Sequence, residues 1–167
     1  MREPLYLSVL EATFVAHVVR PFSSHRSTEI VSAPKVYGFD TGFVCYQRGW
    51  SELRQEDMGL LWEHFVLNEM MAQLQSREIR YWRDKRGHEV DFVLVRRREA
   101  PVAVECKWSA ETFAARPLLA FRRQYPEGAN LVVAHDVDRA YTRTYEGMTI
   151  RFVSLEDLIA DIVGKMV

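Results

Sequence analysis

Two neighbouring runs, VDFVLV at positions 90–95 and VAVECKW at 102–108, have the composition of strands from a sheet core, yet each carries charge inside its apolar sequence. Burying a carboxylate is costly unless a cation or hydrogen-bond donors meet it. A chain that places Asp91 and Glu105 in such strands must therefore fold them beside something cationic.

The geometry of a hairpin narrows what that is. Side chains alternate across a strand, so Glu89, Asp91, Val93 and Val95 are expected on one face of the first strand, and Ala103, Glu105 and Lys107 on one face of the second. The segment RRREAP supplies the turn. Centred on Arg98, it sets Asp91 opposite Glu105, with Cβ atoms about 5 Å apart, where like charges destabilise the pair. Two cations suit the gap. One is Lys107, two residues on and on the same face. The other is a divalent metal, Mg²⁺ or Mn²⁺, since hard cations take one or two carboxylates together with waters and phosphate oxygens. The backbone carbonyl of Cys106 adds a further oxygen. A lysine beside a metal has its pKa lowered and can orient or deprotonate an attacking water, which is the chemistry of phosphodiester hydrolysis.

The rest of the chain sets the limits. Its 167 residues, 48% hydrophobic and 12% aromatic, suffice for one domain with a sizeable core, or one domain plus an appendage. A formal net charge of −1 gives no global field toward nucleic acid, so any such contact has to be a local patch. Cys45 and Cys106 form no disulfide framework and no zinc pattern, which suits a reducing compartment. No apolar run reaches the length of a membrane span and MREPLYLSVLEA lacks the pattern of a signal peptide. The expectation is a cytoplasmic protein without a membrane partner.

Punctuation near Arg48 to Glu56 divides the chain into residues 1–50 and 51–167. In the first part, Leu5 to Ala12 reads as a short helix. TFVAHVVRPF and TEIVSAPKVYGF, separated by SSHRS, read as a hairpin, and Asp40 is placed to cap a short helix through Phe43 to Gln47. In the second part, Glu56 to Gln75 reads as one long helix from the recurrence of Met58, Leu61, Trp62, Phe65, Val66, Met70 and Leu74. Strands are expected near Ile79–Arg83, Glu89–Val95, Val102–Trp108, Asn130–Ala134 and Thr149–Val153, with helices near Arg116–Tyr125 and Leu155–Val163. This is an α/β layered domain with a mixed central sheet. Glu63 shares a helical sector with Met70 and Leu74, a carboxylate on an apolar side that can reach the site from above.

An Asp, then Glu105-Cys106-Lys107 on the next strand, with a helical Glu before them, resembles the PD-(D/E)XK nuclease superfamily and its restriction-endonuclease-like core. More narrowly, APKVYGFDTG, GLLWEHFVLNEM, YWRDKRGHEVDF and VAVECKWS resemble, in that order, the uncharacterised domain found C-terminal to the ATPase module of bacterial and archaeal AAA-type ATPases. The likeness runs from about Tyr6 to Val133. It implies an Mg²⁺-dependent nuclease-like domain that acts on nucleic acid, DNA before RNA, in association with an AAA-type ATPase. In that reading Asp91, Glu105 and the Cys106 carbonyl hold the metal, Lys107 positions or activates water, and Glu63 completes the shell or holds Lys107. YLSVLEATFVAHVVRPF resembles the last helix and wing of the winged-helix segment that precedes this domain in the family. The chain carries no G-x-x-x-x-G-K-[ST], hence no P-loop nucleotide site, and reads as a fragment or stand-alone descendant.

A different class of reading stands beside this one: a catalytically silent module that binds a partner or DNA, or self-associates as a homodimer, with the charged cluster kept as a structural ion-pair network. Recruitment of nucleic acid would rest on Arg83, Lys85, Arg86 and Arg96. Arg83 also reads as a salt-bridge partner for a site carboxylate. Trp62, Trp82 and Trp108 read as core, the arginine runs at 96–98 and 122–123 as solvated faces, and His88 as the histidine nearest the site.

Overall fold

The computed structural model describes residues 5–23, 33–74, 79–96 and 98–164. The first part contains α1 (Leu5–Ala12), β1 (Ala16–Pro21), β2 (Lys35–Gly38) and α2 (Thr41–Gln47). Asp40 caps α2 by accepting the Phe43 N–H at 2.7 Å, as a short side chain with an acceptor does at a helix start. The SSHRS loop from Ser24 onward and Arg97 of the 96–98 run lie outside the described residues.

The second part runs α3 (Gln55–Leu74), β3 (Ile79–Arg83), β4 (Glu89–Leu94), β5 (Val102–Lys107), α4 (Arg116–Gln124), β6 (Asn130–Ala134), β7 (Tyr141–Tyr145), β8 (Met148–Val153) and α5 (Leu155–Gly164). The eight strands among the described residues join one mixed sheet in the order β2-β1-β3-β4-β5-β6-β8-β7. β1 lies parallel to β3, so the N-terminal hairpin continues the sheet. β5, β6 and β8 are parallel to one another, and the five residues of β6 are all buried, as a strand covered on both faces requires. Strand β7, absent from the expected elements, pairs with β8 through the turn at Glu146-Gly147, where both residues have positive φ.

Helices cover both faces. α3 and α5 pack on one side through Leu67, Met70, Leu158 and Ile162 against Phe92, Val104 and Val133. α4 packs on the other through Leu118 and Phe121 against Val90, Val93 and Val132. Phe65, expected on the core side of α3, is 42% exposed, and Leu67 is the buried residue instead.

The β4–β5 register, with Phe92 opposite Val104, Val93 opposite Ala103 and Leu94 opposite Val102, is the one centred on Arg98, which sits in the turn at φ 67°. Strict alternation along β4 is corrected. Against β3 the register slips between Arg80 and Trp82, so Val90 and Val93 both face α4 while Phe92 and Leu94 face α3. A bulge of this kind bends a strand and re-aims a side chain. Here it separates Glu89 and Asp91 from Val93 and leaves Asp91 on a cavity beneath α3.

Candidate functional site

β4 begins where β5 ends, and β6, parallel to β5, ends there too. In open α/β sheets ligands bind beyond the carboxyl ends of parallel strands, and this end gathers the charged residues. A cavity of about 490 Å³ opens there, lined among others by Glu63, Asp91, Cys106, Lys107 and Trp108.

Asp91, Glu105 and Lys107 converge. Lys107 Nζ lies 3.0 Å from Glu105 Oε2 and 3.7 Å from Asp91 Oδ2, and donates to the Cys106 carbonyl at 3.1 Å. Asp91 Oδ2 also accepts the Cys106 N–H at 2.9 Å, a donor beyond the last paired residues of the β4–β5 ladder. The lysine ammonium thus lies within 4 Å of three of the four expected ligands, all but Glu63. One ammonium does not satisfy two carboxylates here. Glu105 is 3% exposed, and its Oε1 is buried with no donor on it. Asp91 is close enough to share a hydrogen bond with Glu105, but two carboxyl groups can make one only around a proton.

The electrostatics follow. Burial drives the Glu105 carboxyl well above the usual range, and the charge of Asp91 adds to it against the pull of Lys107. Asp91 is raised too, by burial first and by Glu63 second. Burial disfavours the Lys107 ammonium, but Asp91 and Glu105 outweigh it and its pKa is raised. The lowering expected from the sequence is the effect of a metal charge beside the lysine, and it stands apart from what the protein's own carboxylates do to Lys107. Its two carboxylates keep Lys107 charged.

Glu63 stands on the cavity wall from α3, and it does not hold Lys107. Its Oε1 accepts Lys35 Nζ at 3.0 Å and Tyr37 Oη at 2.5 Å. Lys35 also lies 2.5 Å from Glu89 Oε1, and its ammonium sits over the rings of Tyr37 and Tyr81 at 5.9 and 5.7 Å. Burial opposes the Lys35 charge, yet Glu63, Glu89 and Asp91 raise its pKa. Lys35, Tyr37 and Glu89 were not among the expected site residues. Lys35 and Tyr37 lie in APKVYGFDTG, one of the stretches that carried the family likeness, but their role depends on β1 pairing with β3, a contact between distant segments.

The basic residues divide. Arg83 is half exposed and bonds the Glu89 carboxylate, as a salt-bridge partner would. Lys85 and Arg86 are exposed in the β3–β4 turn, which Asp84 shapes by accepting the Arg86 and His88 N–H groups and contacting the His88 ring at 2.7 Å. Arg96 is not brought to the site. It follows the far end of β4 and donates to the Ile162 carbonyl at 2.6 Å. Trp62 and Trp82 are buried, whereas Trp108 is half buried on the cavity and stacks on His135 with centroids 3.9 Å apart.

Among the described residues no three His, Cys, Asp or Glu side chains stand close enough to hold a metal by themselves. The donor set at this sheet end is two carboxylates and a backbone carbonyl, with Glu63 on the cavity wall. All-oxygen donors with room for water suit a hard divalent cation such as Mg²⁺ or Mn²⁺, and Glu105 Oε1 is a buried oxygen with no donor on it.

The profile of the family described as domain of unknown function DUF4143 matches residues 58–158, and that of domain of unknown function DUF8612 matches residues 5–54. Two curated relatives, the uncharacterized proteins Rv2008c of Mycobacterium tuberculosis and Mb2031c of Mycobacterium bovis, are each 29% identical over 91 residues, 52% of this chain and 21% of theirs. The chain therefore spans about a fifth of the length of these relatives. Among solved structures, an assembly of Thermococcus gammatolerans McrB AAA+ hexamers with bound McrC overlays with a TM-score of 0.44 at 10% identity, covering 66% of this chain and 33% of that one. No helix among the described residues is long and apolar enough to cross a membrane.

Proposed function

Because the chain belongs to the family described as domain of unknown function DUF4143, its chemistry rests on its own side chains, and we propose that they form the divalent-cation site of a PD-(D/E)XK-type nuclease-like domain that hydrolyses phosphodiester bonds of nucleic acid. The observation that carries this reading is the buried, undonated Oε1 of Glu105 beside Asp91, with one lysine shared between the two carboxylates. A purely structural network would close its hydrogen bonds.

In this reading Asp91, Glu105 and the Cys106 carbonyl hold Mg²⁺ or Mn²⁺, and Glu63 adds a carboxylate from the cavity wall. The cation supplies Lewis acidity toward a phosphoryl oxygen. Water attacks phosphorus as the ester P–O bond breaks: Lys107, kept charged by its neighbours, would present an ammonium to the anionic phosphate and pass a proton from Nζ to the leaving oxygen, and the proton released by the attacking water would replace it through solvent. Lys85 and Arg86, exposed at the same end of the sheet, draw the phosphate backbone in, so activity should fall as salt rises. The sequence likeness to domains that follow an AAA-type ATPase makes such an ATPase the partner to test first, and in the same reading the first part of the chain would be a winged-helix remnant.

The second reading, a silent interaction or self-association module, draws on the exposed apolar residues of the first part, where Phe14 is 70% and Tyr46 80% exposed. Incubating the protein with single- and double-stranded DNA and RNA in Mg²⁺ or Mn²⁺ separates the two. Cleavage is expected in the wild type, with Lys107→Ala losing cleavage but keeping metal affinity, and Asp91→Ala or Glu105→Ala losing both. Intact substrates with a metal-loaded protein would favour the silent module.

A further inference from the structure

The two segments matched by separate families meet on one oxygen atom. Glu63 lies in the segment 58–158, while its two hydrogen-bond donors, Lys35 and Tyr37, lie in the segment 5–54. Both reach the same atom, Oε1, which ties that oxygen to β2, and Glu63 also lines the cavity. The arrangement is half-buried and specific. Tyr37 is 4% exposed, its ring packed edge-on against His64 with centroids 4.9 Å apart and against Phe92 at 5.8 Å, so its hydroxyl has a fixed direction. Lys35 is held from below by Glu89 and from the side by two aromatic rings.

A surface ion pair would need none of this support, and it would contribute little. Two donors on one carboxylate oxygen, themselves fixed by packing, are what orients a metal-ligating or substrate-facing carboxylate from behind. We infer that Lys35 and Tyr37 are positioning residues for Glu63, and that the two matched segments build one composite divalent-cation site, incomplete without the β1–β2 hairpin. The inference rests on the cation-site reading above and adds a claim about which part of the chain the site requires.

The test is a double-mutant cycle read by Mn²⁺ binding, with free Mn²⁺ followed by its electron paramagnetic resonance signal, and by urea denaturation of the same proteins. Tyr37→Phe keeps the ring and removes only the hydroxyl. It is expected to weaken Mn²⁺ binding roughly 10-fold, the lower end of what loss of such an orienting partner costs. In a Glu63→Gln background, where Asp91 and Glu105 still take the ion, the same change should have no effect. Lys35→Met should behave as Tyr37→Phe does, and Lys35→Arg should restore most of the affinity.

Each remaining outcome overturns the inference in a recognisable way. If Tyr37→Phe lowers stability in urea and leaves Mn²⁺ affinity unchanged, the contact is structural only. If it weakens binding equally with and without Glu63, Tyr37 does not act through that carboxylate. If the wild-type protein takes up no Mn²⁺, the cation-site reading falls and the composite site falls with it, a result distinct from the other two.

Discussion

Arg122 and Glu105 are both buried charges, at opposite ends of the same parallel strands, and they are treated in opposite ways. Arg122 closes the start of β5 and β6. It donates to Asn130 Oδ1 at 2.6 Å, to the Pro101 and Ala129 carbonyls at 3.0 and 2.6 Å, to the Tyr125 carbonyl at 3.2 Å and to the Glu127 carbonyl. Every guanidinium N–H has an acceptor, and burial lowers its pKa only to about 10, so it stays charged at neutral pH. Glu105, at the other end, shares one lysine with a second carboxylate and keeps an oxygen without a donor. Burial of charge is thus no sign of function by itself. What separates the two ends is completeness of the network, and only the incomplete end lies on the cavity.

The contrast is sharpest in stability. Arg122→Met removes the donors to the buried Asn130 side chain and to four part-buried carbonyls, of which that of Ala129 keeps the Ala103 N–H, and should cost roughly 3–5 kcal/mol in urea unfolding. A loss below about 1 kcal/mol would mean that water replaces the guanidinium and that the two ends are not different in kind. Gly128 tests the same end by geometry. It sits at φ +109°, and a Cβ there would lie 2.1 Å from the Pro101 carbonyl oxygen. Gly128→Ala should therefore cost about 1–3 kcal/mol, and a neutral result would show the 125–130 turn to be adjustable.

At the site end the sign changes. Glu105→Gln removes one of two apposed buried charges, so the metal-free protein should be equally stable, or more stable by about 1 kcal/mol. Stabilisation by millimolar Mg²⁺, seen as a rise in Tm of the wild type, should disappear in this variant. A large loss of metal-free stability would make Glu105 a structural partner like Arg122. The smallest effect belongs to Arg83, whose exposed pair with Glu89 should contribute below about 1 kcal/mol and fade with salt in an Arg83→Ala comparison.

Local signals carried much of this into the sequence. The apolar spacing of α3, the Asp40 cap and the turn centred on Arg98 are short-range features, and the last of them fixes Asp91 against Glu105. The rest depends on contacts between distant segments. Arg122 reads as one of a solvated pair because nothing local reveals that Gly128 folds the 125–130 turn back over it. The slip in β4 at Asp91 needs its partner strand, and the Lys35–Tyr37–Glu63 contact needs β1 laid parallel to β3. β7, with YTRTY ahead of Glu146-Gly147, did carry a legible alternation and hairpin turn. Its charged and polar face disguises it as a loop.

The central claim is that the end of the sheet holding Asp91 and Glu105 is short of a cation. Calorimetric titration of Mg²⁺ and of Mn²⁺ into the wild-type protein and into Asp91→Asn tests it most directly, since the asparagine keeps an acceptor for the Cys106 N–H while removing the charge. The expected result is a single saturable site in the wild type that is lost in Asp91→Asn, with both proteins folded. No saturable heat in the wild type, or the same binding in both, would contradict it.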